Sequence, residues 1–184
     1  ADKPESQDLC FIPNNGHAAY LREQAPDLVR EGAIVTLGGQ ELGRHQGSHF
    51  YTIGQRRGLG LGGGPWYVVA LQHERNQVVV GPQHEVCAGG VELRGVRWQV
   101  AAPTAPLPCR ALLRYHHGGV EAVVHADEGG IAELTFAEPQ FAVTPGQAAV
   151  FYDGDTVLGG GWIARPLPVS AATDDAATVL AETL

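Results

Sequence analysis

The 184-residue chain contains no methionine, only three cysteines, and no apolar run approaching the length of a membrane span. Cys10, Cys87 and Cys109 are odd in number and widely spaced. That excludes a disulfide framework or a zinc pattern and suits a reducing cytoplasm. Positive charge is also scarce: 12 lysines and arginines against 20 acidic residues give a formal net charge of −8. Such a balance counts against nucleic-acid binding, because phosphate neutralisation draws on lysine and arginine. Distribution tempers the sum. Acidic residues gather at the ends (Asp2, Glu5, Asp8; Asp174, Asp175, Glu182), whereas arginines lie in interior groups: Arg56 with Arg57, Arg94 with Arg97, Arg110 with Arg114. The polar, charged beginning is no signal peptide. A cysteine motif ten residues in, with no initiating methionine, leads to the expectation that the chain is excised from a longer protein.

Glycine is abundant, at 25 residues, and is joined by 12 prolines, which favours turns and short strands over long helices. Residues 1–16 read as an extended entry segment closed by a turn at Pro13-Asn14-Asn15-Gly16. A short helix is predicted from His17 to Gln24, and Pro26 ends it. Strands are predicted at Ala33–Leu37 and Glu41–Gly43, followed by a glycine-rich loop over 44–65. From Trp66 onward the pattern is one of repeated short strands. Trp66–Leu71 and Gln77–Gly81 flank a hairpin turn at 73–76. Further candidates are Gly90–Arg94, Val96–Val100, Arg110–His116, Val120–His125, Ile131–Phe136, Gln147–Asp153 and Thr156–Ala164. Strands of this length, punctuated by glycine and proline, indicate a small β-barrel or sandwich. Alternation puts Arg110, Leu112 and Arg114 on one face of their strand and Ala111, Leu113 and Tyr115 on the other.

Several residues have chemistry to offer. Cys10, between a polar run and the apolar Phe11-Ile12, is either a small buried hydrophobe or a thiol that accepts sulfane sulfur as a persulfide; reactivity would need a lowered thiol pKa. Cys87 and Cys109 default to structural roles. Gly58–Gly63 formally matches G-x-G-x-x-G, but a proline and a strand follow where a helix is required, so dinucleotide binding is rejected. His45 and His49 have i, i+4 spacing without a helix or third ligand to make a metal site. His116 and His117 would point to opposite faces of a strand. Tyr51, Arg56, Arg57, Arg114 and Tyr115 suit RNA, since arginine pairs with phosphate and both residue types stack on unpaired bases. On the residues alone, a solvated strand face with a core tyrosine is the better account of them. Gln147 follows the turn Thr144-Pro145-Gly146 and offers a donor and an acceptor either to a nucleotide or to the turn itself.

The motif SQDLCF at 6–11, with YTIGQRRGLGLG, RYHH and EPQFAVTPGQAAVFYDGDTVLGGGWIA downstream, resembles the C-terminal portion of the bacterial tRNA-specific 2-thiouridylases. The similarity runs from about Asp2 to Arg165. The resemblance implies a mainly β chain, with a small α+β central domain and a C-terminal six-stranded-type antiparallel β-barrel. The divisions expected are 1–16 as a remnant of the catalytic domain bearing Cys10, 17–72 as the central domain, 73–165 as the barrel and 166–184 as an acidic disordered tail. It further implies 2-thiolation of the wobble uridine, in which ATP activates the C2 oxygen and a Cys10 persulfide supplies sulfur. Arg114, Tyr115 and Gln147 match tRNA-contacting positions, with Arg56 and Arg57 as further candidates. Implied partners are tRNA and a sulfur-relay or cysteine desulfurase donor, without membrane or DNA, in the cytoplasm. No S-G-G-x-D-S-type phosphate loop occurs in these residues and no metal site is expected, so ATP with magnesium is assigned to the full-length enzyme and no cofactor to this chain. The competing reading is a non-catalytic RNA-binding barrel. Methyl transfer, a label such proteins can carry, is discounted because no fold for a methyl donor is evident.

Overall fold

The computed structural model describes residues 17–26, 29–114 and 118–169. Cys10, Tyr115, His116, His117 and the tail from residue 170 lie outside the described residues. The chain divides into two compact units, at Gln83/His84.

The first unit opens with helix α1 (His17–Gln24), at the predicted bounds. Strands β1 (Gly32–Thr36), β2 (Glu41–His45), β3 (Tyr67–Gln72) and β4 (Gln77–Gly81) form a sheet in the order β2-β1-β4-β3. β1–β2 and β3–β4 are antiparallel hairpins, while β1 and β4 pair in parallel with Ile34 opposite Val78 and Val35 opposite Val79. β-Branched residues supply the two central strands, and Ile34, Val78 and Val80 are wholly buried in a small core with Val68 and Leu59. Leu42, Tyr51, Leu61, Trp66 and Leu71 pack around it. Beginning the barrel at residue 73 is therefore corrected: β4 is a central strand of the first sheet. A parallel partner distant in sequence leaves no local signature.

The second unit is a closed, fully antiparallel six-stranded barrel in the order β10-β5-β8-β7-β6-β9. Its strands are β5 (Cys87–Trp98), β6 (Leu107–Leu112), β7 (Val120–Ala126), β8 (Ile131–Phe141), β9 (Ala148–Asp153) and β10 (Thr156–Leu167). Closure removes free edges, and alternate residues fill the interior. Phe136, Phe151, Leu93 and Leu134 are fully enclosed, with Trp98 tilted against Phe151 at 5.1 Å between ring centroids. Gly90 is required by close approach: a Cβ there would stand 2.4 Å from the Leu134 carbonyl oxygen on β8.

Several strand bounds differ from the sequence reading, among them β8, which runs on from Phe136 to Phe141. Gly90–Arg94 and Val96–Val100 are parts of the single strand β5, which continues through Gly95 at φ +62°. β6 begins at Leu107 and stops at Leu112, short of His116. Pro166 and Leu167 extend β10, pairing with Val91 and Gly90, and so are not tail.

Candidate nucleic-acid interface

The barrel brings two of the expected residues together at one rim. After β6, Leu113 points inward at 4% exposure and the next residue, Arg114, is exposed. Gln147 follows the Pro145-Gly146 turn. Its backbone is tied to β10: Gly146 N–H donates to the Ile163 carbonyl and Ile163 N–H donates to the Gln147 carbonyl, both at 2.8 Å. The main chain is thereby fixed while the Gln147 side chain stays exposed. Arg114 and Gln147 line one narrow cleft with Leu113, Gln140, Phe141, Ala142 and Val143. At about 10 Å³ it holds no base, so it presents a shallow polar lip over an apolar floor.

The floor contains Ala142 at φ +55°, a left-handed conformation unusual for a residue with a side chain. Its N–H donates to the Val86 carbonyl at 3.2 Å, and the Thr144 hydroxyl donates to the Ala142 carbonyl at 3.2 Å. These bonds hold the bend that follows β8. Nothing in the local sequence marks Ala142, since glycine or asparagine is the usual signal.

Arg110, grouped with Arg114 in the sequence reading, has a different task. Its guanidinium donates to the Gly118 carbonyl, and its side chain lies against Gly119 at φ +81°. Arg110 thus clamps the β6–β7 connection that carries Tyr115, itself outside the described residues.

Arg56 and Arg57 belong to the other unit, exposed on the loop between β2 and β3. Gln55 shapes that loop: Thr52 N–H donates to its side-chain oxygen at 3.1 Å, and its amide donates to the Arg57 carbonyl at 2.9 Å. The glycines at 58–63 continue as turns into β3, with no helix N-terminus to receive a phosphate. That loop therefore lacks the helix-start geometry that receives a phosphate. Tyr51 is half-buried against the small core, where burial raises its pKa.

Among the described residues no group of three metal-ligating side chains occurs. His45 is 2% exposed. Its Nδ1 accepts from Gly47 N–H at 3.0 Å, so Nε2 carries the proton and donates to the Asn76 carbonyl at 3.2 Å. Burial holds its pKa below the ordinary histidine value. His49 instead stacks on His73 at 4.6 Å between centroids, and His73 Nδ1 is hydrogen-bonded to the Ser48 hydroxyl at 3.0 Å. Sequence reasoning missed this network and its hub Asn76, left-handed at φ +49°, whose amide donates to the Arg30 and Glu31 carbonyls at 3.2 and 2.9 Å. An open cleft of about 540 Å³ lies beside it, lined by Val29, Glu31, Arg44, His45 and Gln46.

Cys109 is buried in the barrel, and burial, reinforced by Glu121, pushes its thiol up to about 12. It is inert as a nucleophile. Cys87 is half-buried at the start of β5.

The sequence of the small mixed sheet and that of the closed barrel each match a domain family. Residues 19–82 match the tRNA methyl transferase PRC-barrel domain and residues 89–163 the aminomethyltransferase β-barrel domain. The tRNA-specific 2-thiouridylase of Roseiflexus sp. strain RS-1 is 50% identical over 167 residues, covering 90% of this chain and 45% of that protein. Those of Roseiflexus castenholzii and Rhodospirillum centenum are 49% and 43% identical, covering 45% and 49% of those proteins. The chain belongs to the tRNA-specific 2-thiouridylase family. It spans about half the length of these curated relatives.

Proposed function

We propose that this chain is the C-terminal portion of a cytoplasmic tRNA-uridine 2-sulfurtransferase that grips tRNA with its barrel and supplies the persulfide cysteine for thiolation of the wobble uridine. The observation that carries the tRNA grip is the rim where Arg114 and Gln147 share one cleft. A planar guanidinium holds phosphate in two-point fashion, and a primary amide beside it reads either donors or acceptors on a nucleotide. Tyr115, adjacent to Arg114, adds a stacking surface in this reading, and Arg56 and Arg57 make further phosphate contacts.

Cys10 is the persulfide carrier in this proposal. The buried, high-pKa thiol of Cys109 makes it unsuited to the same task. Activation of the uridine C2 oxygen by ATP with magnesium is assigned to residues other than those described, as is a second cysteine that takes Cys10 into a disulfide as the sulfur passes to the uridine. A sulfur-relay protein or cysteine desulfurase loads Cys10. The second reading, a non-catalytic RNA-binding module, is favoured for this chain in isolation by the character of the described site, which offers binding groups and no activated thiol.

The test is binding of a tRNA transcript across a salt series, to this chain and to an Arg114→Ala/Gln147→Ala variant. We expect salt-dependent binding by the chain, and a variant weakened by about tenfold with a shallower salt slope. Absence of binding at low salt overturns the tRNA-grip reading.

A further inference from the structure

One exposed aromatic residue has no part in the rim described above. Trp162 lies within β10 yet is 62% exposed, whereas its successor Ile163 is buried in the barrel. Its cross-strand neighbours are Ala148 on β9 and Arg94 on β5. The indole lies over Gly95, where even a Cβ would be only 3.7 Å from its Cδ1. The ring therefore rests against the wall with its far face open.

Charge surrounds it. Arg94 and Arg165 both bond to Glu92, at 3.2 Å and 2.7 Å, which fixes their heads on the outer wall while leaving most of their donors free. Arg97, also exposed, lies opposite Gly160 of β10. Three arginines thus flank the indole along β5 and β10. Among the described residues the nearby acidic groups are Glu92, already paired, Glu133, one strand further away on β8, and Asp127 in the β7–β8 turn, whose Gly130 adjoins Val96. In a chain of net charge −8, this local excess of positive charge is notable. The wall also adjoins the rim: Gln147 immediately precedes Ala148, and its carbonyl accepts from the residue following Trp162.

We propose that the outer wall of β5 and β10 is a second RNA contact, at which Trp162 stacks on an unpaired tRNA base while Arg94 and Arg165 hold the adjoining phosphates. An exposed aromatic platform set in a basic groove is how proteins hold single-stranded nucleic acid without reading its sequence. A protein partner would call for a broader apolar face; among the described residues of these strands the other exposed large apolar side chains are Ile131, across Arg94 on β8, and Val157, near the start of β10. The wall would lengthen the grip begun at Arg114 and Gln147, so the inference rests on the tRNA reading.

The experiment is tRNA-transcript binding by this chain, followed by affinity, salt slope and tryptophan fluorescence, with Trp162→Ala, Trp162→Phe and Arg94→Gln/Arg165→Gln variants. Trp162→Ala should weaken binding about tenfold at unchanged salt slope, and Trp162→Phe should retain most of the affinity. Arg94→Gln/Arg165→Gln should weaken binding and lower the salt slope by about 2. tRNA should quench the parent's fluorescence, with most of that quench lost in Trp162→Phe, a readout independent of any folding defect in the alanine variant. If these variants bind like the parent and Trp162→Phe keeps the quench, while Arg114→Ala/Gln147→Ala still weakens binding, the wall is not an RNA contact and the rim reading stands. If the parent chain binds no tRNA, both proposals fall.

Discussion

The two units of this chain hold themselves together by different means. The barrel closes on itself, so no strand lacks a partner, and its stability lies in an enclosed interior built around Phe136, Phe151, Leu93 and Leu134. The small sheet ends in two edge strands, β2 and β3, the latter covered in part where Val68 exchanges backbone hydrogen bonds with Gly54 and Gln55; its core has few residues, and it relies on a polar knot. Asn76 ties the β3–β4 turn to the entry of β1, and His45 ties the end of β2 to the same turn. Apolar packing is distributed over many contacts, whereas a polar knot concentrates its effect in a few atoms. The barrel should therefore be sensitive to lost volume, and the small sheet to single hydrogen bonds and to pH.

The largest expected effect is in the barrel. Phe151→Ala should cost about 3–5 kcal/mol in chemical denaturation, because it empties the space against Trp98. Gly90→Ala is expected to follow, at about 1–3 kcal/mol, since its Cβ meets a carbonyl oxygen that cannot move without shifting β8. In the small sheet, Asn76→Ala should cost about 1–3 kcal/mol through its lost backbone bonds and left-handed conformation. Amide exchange in β1 should report that loss while the barrel amides stay protected; equal loss in both units would erase the contrast.

The smallest effect is that of pH. The folded-state pKa of His45 lies below its ordinary value near 6.5 because the ring is buried neutral. Its contribution to stability is complete above that value and is lost as pH falls through the lower folded-state pKa. Protonation would also turn Nδ1 into a second donor facing Gly47 N–H. β1 protection factors, corrected for the intrinsic slowing of exchange in acid, should therefore fall on acidification from about pH 7 to 5, and His45→Phe should flatten that dependence. A barrel losing protection over the same interval would contradict the assignment.

Much of this contrast was legible in the sequence, for physical reasons specific to each element. His17–Gln24 stands between a glycine turn and Pro26, and its bounds were read correctly. Alternation located the barrel strands, as at Ala111 and Leu113, both buried on one face. What failed depended on partners far along the chain. Gly95 looked like a break between strands, but pairing with β10 carries β5 through it. β4 read as part of the barrel because its parallel neighbour β1 lies more than forty residues earlier. Arg114 was visible as an arginine on a strand face and Gln147 as a polar residue after a turn; their shared cleft came from barrel closure, which no local pattern encodes. Trp162 read only as a strand residue, because alternation fails to show which side of a glycine-rich strand faces water.

The pairing that closes the barrel sets a schedule for its assembly. β5 and β10 are the first and last strands of the unit to leave the ribosome, and they lie side by side. Until the final strand emerges, β5 has only β8 to hold it and keeps one raw margin of backbone, an invitation to pair with a neighbouring nascent chain. Truncation a few residues inside Leu167 should therefore harm solubility out of proportion to the apolar surface it removes. Chains of such high contact order fold slowly, so crowding during synthesis should matter more to yield than the stability of the finished barrel.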